Sequence, residues 1–151
     1  RSYPQAVKIV VVIYPTKCHN QLNLTKEKKM LTSKKEKSCA DLIQERWHDR
    51  RDELEKFDAN GWDMFHEYGL DFSYVEPDTF DNQPKGYHRF QISWGGPSDE
   101  LRFYTRGESL DNEESITDKV EYWFLDWFDG ASIDVSDEEV IKNLWTDYLI
   151  H

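Results

Sequence analysis

The residues in this chain best suited to do chemistry are carboxylates. Asp126, Asp129, Asp134 and Asp137 fall close together, and hard divalent cations take oxygen ligands of this kind. Their spacing fits no calcium loop, and Asp137 has a competing use as negative charge at the start of a helix. Solvated acids are the expected reading, with a metal-dependent enzyme built on these four as the alternative. A carboxylate pair of the glycosidase kind is weak ground in a chain with 30 acidic residues.

Nucleophilic chemistry finds less support. Ser93, Ser98 and Ser109 lack the glycine-flanked elbow that presents a catalytic serine, and Cys39 lies on a charged helix with no such context. The stretch "WGGPSD" shares only its glycines with phosphate-cradling loops, because no Lys-Ser/Thr and no helix follow it. His48 and His66 have no partner at ligand spacing, and Cys18 and Cys39 have none at zinc spacing. Catalytic residues, a metal and a cofactor are therefore not expected. The chain reads as something other than an enzyme.

Charge turns the question toward binding. The 151 residues carry a net charge of −11, with 15% aromatic residues and six Trp. Disordered acidic chains are poor in rings, so this is a folded acidic protein. Residues 1–29 sum to +5, residues 30–56 to zero and residues 57–151 to −16. Solubility of a small domain asks for a magnitude of only roughly 2–8. Such acidity repels nucleic acid and anionic membrane, and a protein with a basic surface is its natural complement. Cys39 is alone in the body of the chain, which points to a reducing compartment, the bacterial cytoplasm.

Residues 1–29 read as a doubtful leader. "AVKIVVVIYP" has strand character, but its apolar run is too short to span a bilayer and lacks a signal-peptide cleavage pattern. The codons of Lys26, Glu27, Lys28 and Lys29 imply a purine tract before Met30, the look of a ribosome-binding site translated as protein. Two readings fit: upstream read-through with a start at Met30, or a short strand followed by a basic linker. Residues 30–151 then form a single acidic α+β domain.

The positioning elements follow from periodicity. Ser38 and Asp41 outline a capping box, and Leu42, Ile43, Trp47, Leu54 and Phe57 share one helical face that Arg50 extends. "WDMFHEYG" predicts a second helical piece with Gly69 as its stop. "LDFSYVEP", "GYHRFQISW" and "ELRFYTR" alternate as strands, with "GGPSD" as the turn of a hairpin. "KVEYWFLDWFDGA" fits helix and strand periods alike, and its rings and β-branched residues favour a third antiparallel strand leading to a turn at Gly130. "VSDEEVIKNLWTDYLI" predicts a closing helix, with Ser136 and Glu139 as a capping box. The expected fold is α+β: a long N-terminal amphipathic helix, a three- to four-stranded antiparallel sheet, and a C-terminal helix packed on one sheet face.

The stretches "EYGLDFSYVEPDTF", "RFQISWGGPSDELRFY" and "EYWFLDWFDGA" resemble small acidic, largely uncharacterised proteins of bacterial conjugative plasmids and phages. That resemblance implies a setting in which inhibitors of host defence, antirestriction and anti-CRISPR proteins among them, are common, and several of these mimic DNA. The expected function is binding of a partner protein, in its narrowest form DNA mimicry against a host nucleic-acid-binding defence protein. An accessory protein of a mobile element without mimicry is the alternative. The acids expected to face the partner are Asp99, Glu100, Glu108, Asp111, Glu113, Glu114, Asp118, Glu121, Asp126 and Asp129, with Tyr104, Trp123 and Trp127 as aromatic contacts.

Overall fold

The computed structural model describes residues 10–11, 36–105, 108–110 and 119–150. One antiparallel sheet forms its centre: β1 (Val10–Val11), β2 (Asp71–Val75), β3 (Tyr87–Ser93), β4 (Ser98–Tyr104), β5 (Lys119–Asp126) and β6 (Asp129–Asp134). The spatial order is β1-β6-β5-β4-β3-β2. Strands β2 to β6 thus make a simple meander, each paired with its successor, and the two residues of β1 pair with Ser132 and Ala131 on the outer edge of β6. The rest of residues 1–29 lies outside the described residues.

Helix α1 (Cys39–Ala59) starts at the expected capping box, with Ser38 and Asp41 bonding each other's backbone N–H. It buries Ile43, Trp47 and Leu54 against the sheet. Helix α2 (Glu139–Leu144) continues into a single π-helical turn, Trp145–Leu149, and buries Val140, Ile141, Leu144 and Trp145. Strand alternation delivers Phe90, Ile92, Leu101, Phe103, Val120, Tyr122 and Phe124 to the same core. Trp47 meets Tyr122 at 5.2 Å and Trp145 stacks on Phe103 at 5.0 Å, so both helices cover one face of the sheet. No helix among the described residues is long and apolar enough to cross a membrane.

Four expectations are corrected. The sheet exceeds three to four strands, because residues 129–134 are a strand and the turn before it is Trp127–Phe128, with Asp126 opposite Asp129. The closing helix is shorter than its sequence pattern, and Ser136 does not cap it. Glu138 occupies the cap position without a side-chain bond, while the Ser136 hydroxyl accepts from the Val120 N–H and donates to Asp134. "WDMFHEYG" supplies one 3-10 turn, Phe65–Glu67. Gly69 follows the end of that turn as expected, and it is also needed because a Cβ there would collide with the Phe90 ring.

Candidate binding face

The face of the sheet opposite the helices carries the other half of each alternating strand. Arg102 is its centre. Its guanidinium lies 3.9 Å from the Trp123 ring centroid and 4.8 Å from that of Tyr87, and its Nε donates to Glu100 at 2.6 Å. Cation–π contacts of this kind gain strength when water is excluded, and Arg102 and Glu100 are largely buried. Next to them Glu121 accepts from the Tyr104 hydroxyl at 2.9 Å, the Trp123 indole at 2.9 Å and the Lys119 ammonium at 2.5 Å. Burial works against the charged carboxylate, yet the bonds from Lys119, Trp123 and Tyr104 prevail and hold Glu121 below the usual carboxylate range. Burial, and then the charge and hydrogen bond of Glu121, push the Tyr104 hydroxyl up.

Strand register adds a feature that no single strand reveals. Arg89 on β3 stands directly opposite Arg102 on β4, a like-charged cross-strand pair that destabilises unless anions balance it. Arg102 has Glu100. Arg89 has Asp71, at 3.6 Å through Nη2, and its buried Nε has no hydrogen-bond partner among the described residues. The Tyr87 hydroxyl is likewise buried and without a partner there, on a residue with no exposed surface. Orphan buried donors are uncommon and costly. Above this face lies a cavity of about 1180 Å³, walled by the 77–86 loop, Trp94 and Trp123.

At one end of the sheet the β3–β4 and β5–β6 turns sit side by side, since Ser98 pairs with Leu125. Trp94, Trp127 and Phe128 are 78%, 85% and 72% exposed there. Trp127 holds a left-handed backbone, φ 46°, at a place where two-residue hairpins favour glycine or asparagine. Its indole lies against the neighbouring turn: a Cβ on Gly96 would come within 2.6 Å of the indole nitrogen.

The acids expected to face a partner are dispersed by the same alternation. Asp99 turns to the helix side, where it accepts from Arg50 Nε at 2.6 Å, from the Tyr122 hydroxyl at 3.0 Å and from Ser93. Glu100 and Glu121 are buried on the cavity side and are neutralised by Arg102 and Lys119. Asp129 accepts from the Cys39 N–H at 2.6 Å, at the positive end of α1, and Asp126 is half-buried on the same turn. Asp99, Glu100, Glu121 and Asp129 therefore present no open carboxylate surface. Glu108 is exposed, and Asp111, Glu113, Glu114 and Asp118 lie outside the described residues. Exposed acids stand instead on α1 (Glu45, Asp49, Glu55), along the 76–81 loop and at Asp134 and Asp137. Tyr104 and Trp123 line the cavity, while Trp127 lies exposed at the tip with its indole beside Gly96.

The four aspartates weighed as a metal centre do not converge. Asp126 and Asp129 close the turn, whereas Asp134 is at the far end of β6, five residues or roughly 17 Å away at strand rise. No group of three or more His, Cys, Asp or Glu among the described residues could hold a metal ion. Cys39 is equally unreactive: burial, then the charge of Asp129, push its thiol up to about 12. Arg89, Arg102 and Tyr87 were not singled out by the sequence. Their signal was the charged and aromatic half of "GYHRFQISW" and "ELRFYTR", which alternation assigns to a second face. No protein-family model matches this chain, and no curated protein or solved structure matches it either.

Proposed function

We propose that this chain is a non-enzymatic binding protein that docks a partner protein with a basic surface through the ring-tipped end of its sheet. The observation that carries this reading is Trp127, an indole 85% exposed and held in left-handed backbone. A ring this exposed touches little of the fold beyond the Gly96 turn, and strain of this kind gathers at functional sites. Trp94 and Phe128 enlarge it into an aromatic tip, the residue type that dominates interface hot spots. The net charge of −11 supplies long-range attraction to a basic partner and repulsion from nucleic acid. A bacterial cytoplasmic setting belongs to the same proposal.

A narrower form, DNA mimicry against a host nucleic-acid-binding protein, draws on the charge of −16 carried by residues 57–151. The two forms separate in one experiment. The protein and a Trp127→Asn/Phe128→Ser variant are used to capture partners from bacterial lysate at low and moderate salt. Docking by the tip predicts a basic protein held by the parent and lost by the variant, in a complex that weakens as salt rises. Mimicry predicts that duplex DNA competes and that charge reversal at Asp111, Glu113, Glu114 and Asp118 releases the partner. A partner retained at full strength by the ring variant overturns docking through the tip.

A further inference from the structure

We propose that the cavity over the open sheet face binds a small planar molecule bearing a carboxylate. Four observations converge on that chemistry. The cavity is lined by four cations, Lys85, Arg89, Arg102 and Lys119, against three carboxylates, Asp81, Glu100 and Glu121, a positive balance inside a strongly acidic chain. Two of those cations, Arg89 and Arg102, face each other in register, and a bound anion relieves their repulsion. Two buried donors, the Tyr87 hydroxyl and Arg89 Nε, have no partner among the described residues and belong to residues that line this space. Trp94, Trp123, Tyr104 and Phe80 supply aromatic walls on which a flat ring system stacks.

The arrangement is that of a recognition site: mostly apolar walls with a few convergent polar groups. Its volume of about 1180 Å³ lies just above the ~300–1,000 Å³ common for ligand pockets. Arg102 is already committed to Glu100 and two rings, which fixes its position. Arg89 keeps a buried donor without a partner among the described residues, so the carboxylate belongs beside Arg89 and Tyr87, with the ring body toward Trp123.

The probe is 2-naphthoate, titrated calorimetrically against the intact chain, with 2-naphthylmethylammonium as its cationic counterpart. The carboxylate is expected to bind saturably at one site and at least tenfold more tightly than the cation. Arg89→Gln is expected to weaken naphthoate by about tenfold or more, as loss of a charge-assisted bond does, and Tyr87→Phe by about fivefold. Tyr87→Phe also removes an orphan hydroxyl without changing ring packing, so the free protein should melt no lower than the parent. Phe128→Ser, outside the cavity, should leave naphthoate affinity unchanged while it reduces partner capture, which separates the two sites although Trp94 borders both. Equal affinity for the anion and the cation, no saturable binding at millimolar naphthoate, or affinity unmoved by both cavity variants overturns the proposal. A lower melting temperature for Tyr87→Phe does so too, because it would mean that the hydroxyl serves the fold.

Discussion

The two faces of this sheet hold similar residues and treat them differently. On the helix side Asp99 is buried among rings, and its carboxylate is saturated by Arg50, Tyr122 and Ser93. Arg50 in turn meets Glu53 at 2.8 Å, and Tyr68 donates to Glu53 at 2.5 Å. On the cavity side Arg102, Glu100 and Glu121 form a comparable cluster, yet Tyr87 and Arg89 keep unpartnered donors. The first network is closed and staples α1 to β4. The second is incomplete among the described residues. Buried donors without a hydrogen-bond partner among the described residues occur on the helix side too, at Arg51 Nε and Trp62 Nε1. What sets Tyr87 and Arg89 apart is that they line a cavity, and the proposed ligand site draws on that.

Breaking the closed network should give the largest effect. Arg50→Met leaves Asp99, which is only 3% exposed, charged and short of its main partner. Removing one member of a buried pair costs about 3–5 kcal/mol. Arg102→Met strands Glu100 in the same way, but Glu100 borders the cavity and is the more exposed of the two acids, 8% against 3%, so its loss should be clearly smaller. Urea unfolding of both variants, at unchanged slope, measures the contrast. Equal losses would mean that the two faces are not energetically different.

Part of this contrast was legible in the sequence. Arg50 extends the apolar stripe of α1 because its charge has a destination, and a stripe that includes an arginine announces a buried acid across from it. The hairpin of β3 and β4 and the strand character of residues 119–126 also follow from alternation. The destination of each acid did not, because it depends on register. A β-bulge between Gln91 and Ser93 brings Ser93 opposite Asp99, and bulges leave little trace in a pattern of period two. β6 was missed because its turn is Trp127–Phe128, a pair with no turn chemistry, while the conspicuous Gly130 lies inside the strand. The closing helix reads longer than it is because its apolar spacing persists through the π-helical turn.

The cavity-side network should also show in the pH dependence of stability. Glu121 is held below the usual carboxylate range in the folded protein, so its contribution is present above the unfolded value of about 4.3 and is lost as pH falls through the folded value. Glu53 on the helix side is lowered too, by Tyr68 and Arg50 acting against burial. Melting temperature should therefore drop below about pH 4. Glu121→Gln removes one of the two carboxylates and should cost about 1 kcal/mol at neutral pH, while flattening the acid limb. An acid limb as steep as the parent's would show that Lys119, Trp123 and Tyr104 do not favour the charged form.

The smallest effect is expected at the sheet's outer edge, where neither face is disturbed. A chain beginning at Met30 lacks β1, whose two residues pair with Ala131 and Ser132. Those partners stay anchored through β5, which pairs along the whole of β6, and Ala131 and Ile133 remain in the core beneath α1. Only a few backbone bonds return to water, and hydrogen bonds exchanged with solvent are individually worth about 1 kcal/mol. The shortened chain should melt within a few degrees of the parent, since about 1 kcal/mol moves a domain of this size by roughly 2–8 °C. It should bind 2-naphthoate with unchanged affinity, because the cavity lies across β3, β4 and β5. A large fall in melting temperature would mean that residues 1–29 complete the sheet and that the edge, like the helix-covered face, is closed by the chain itself.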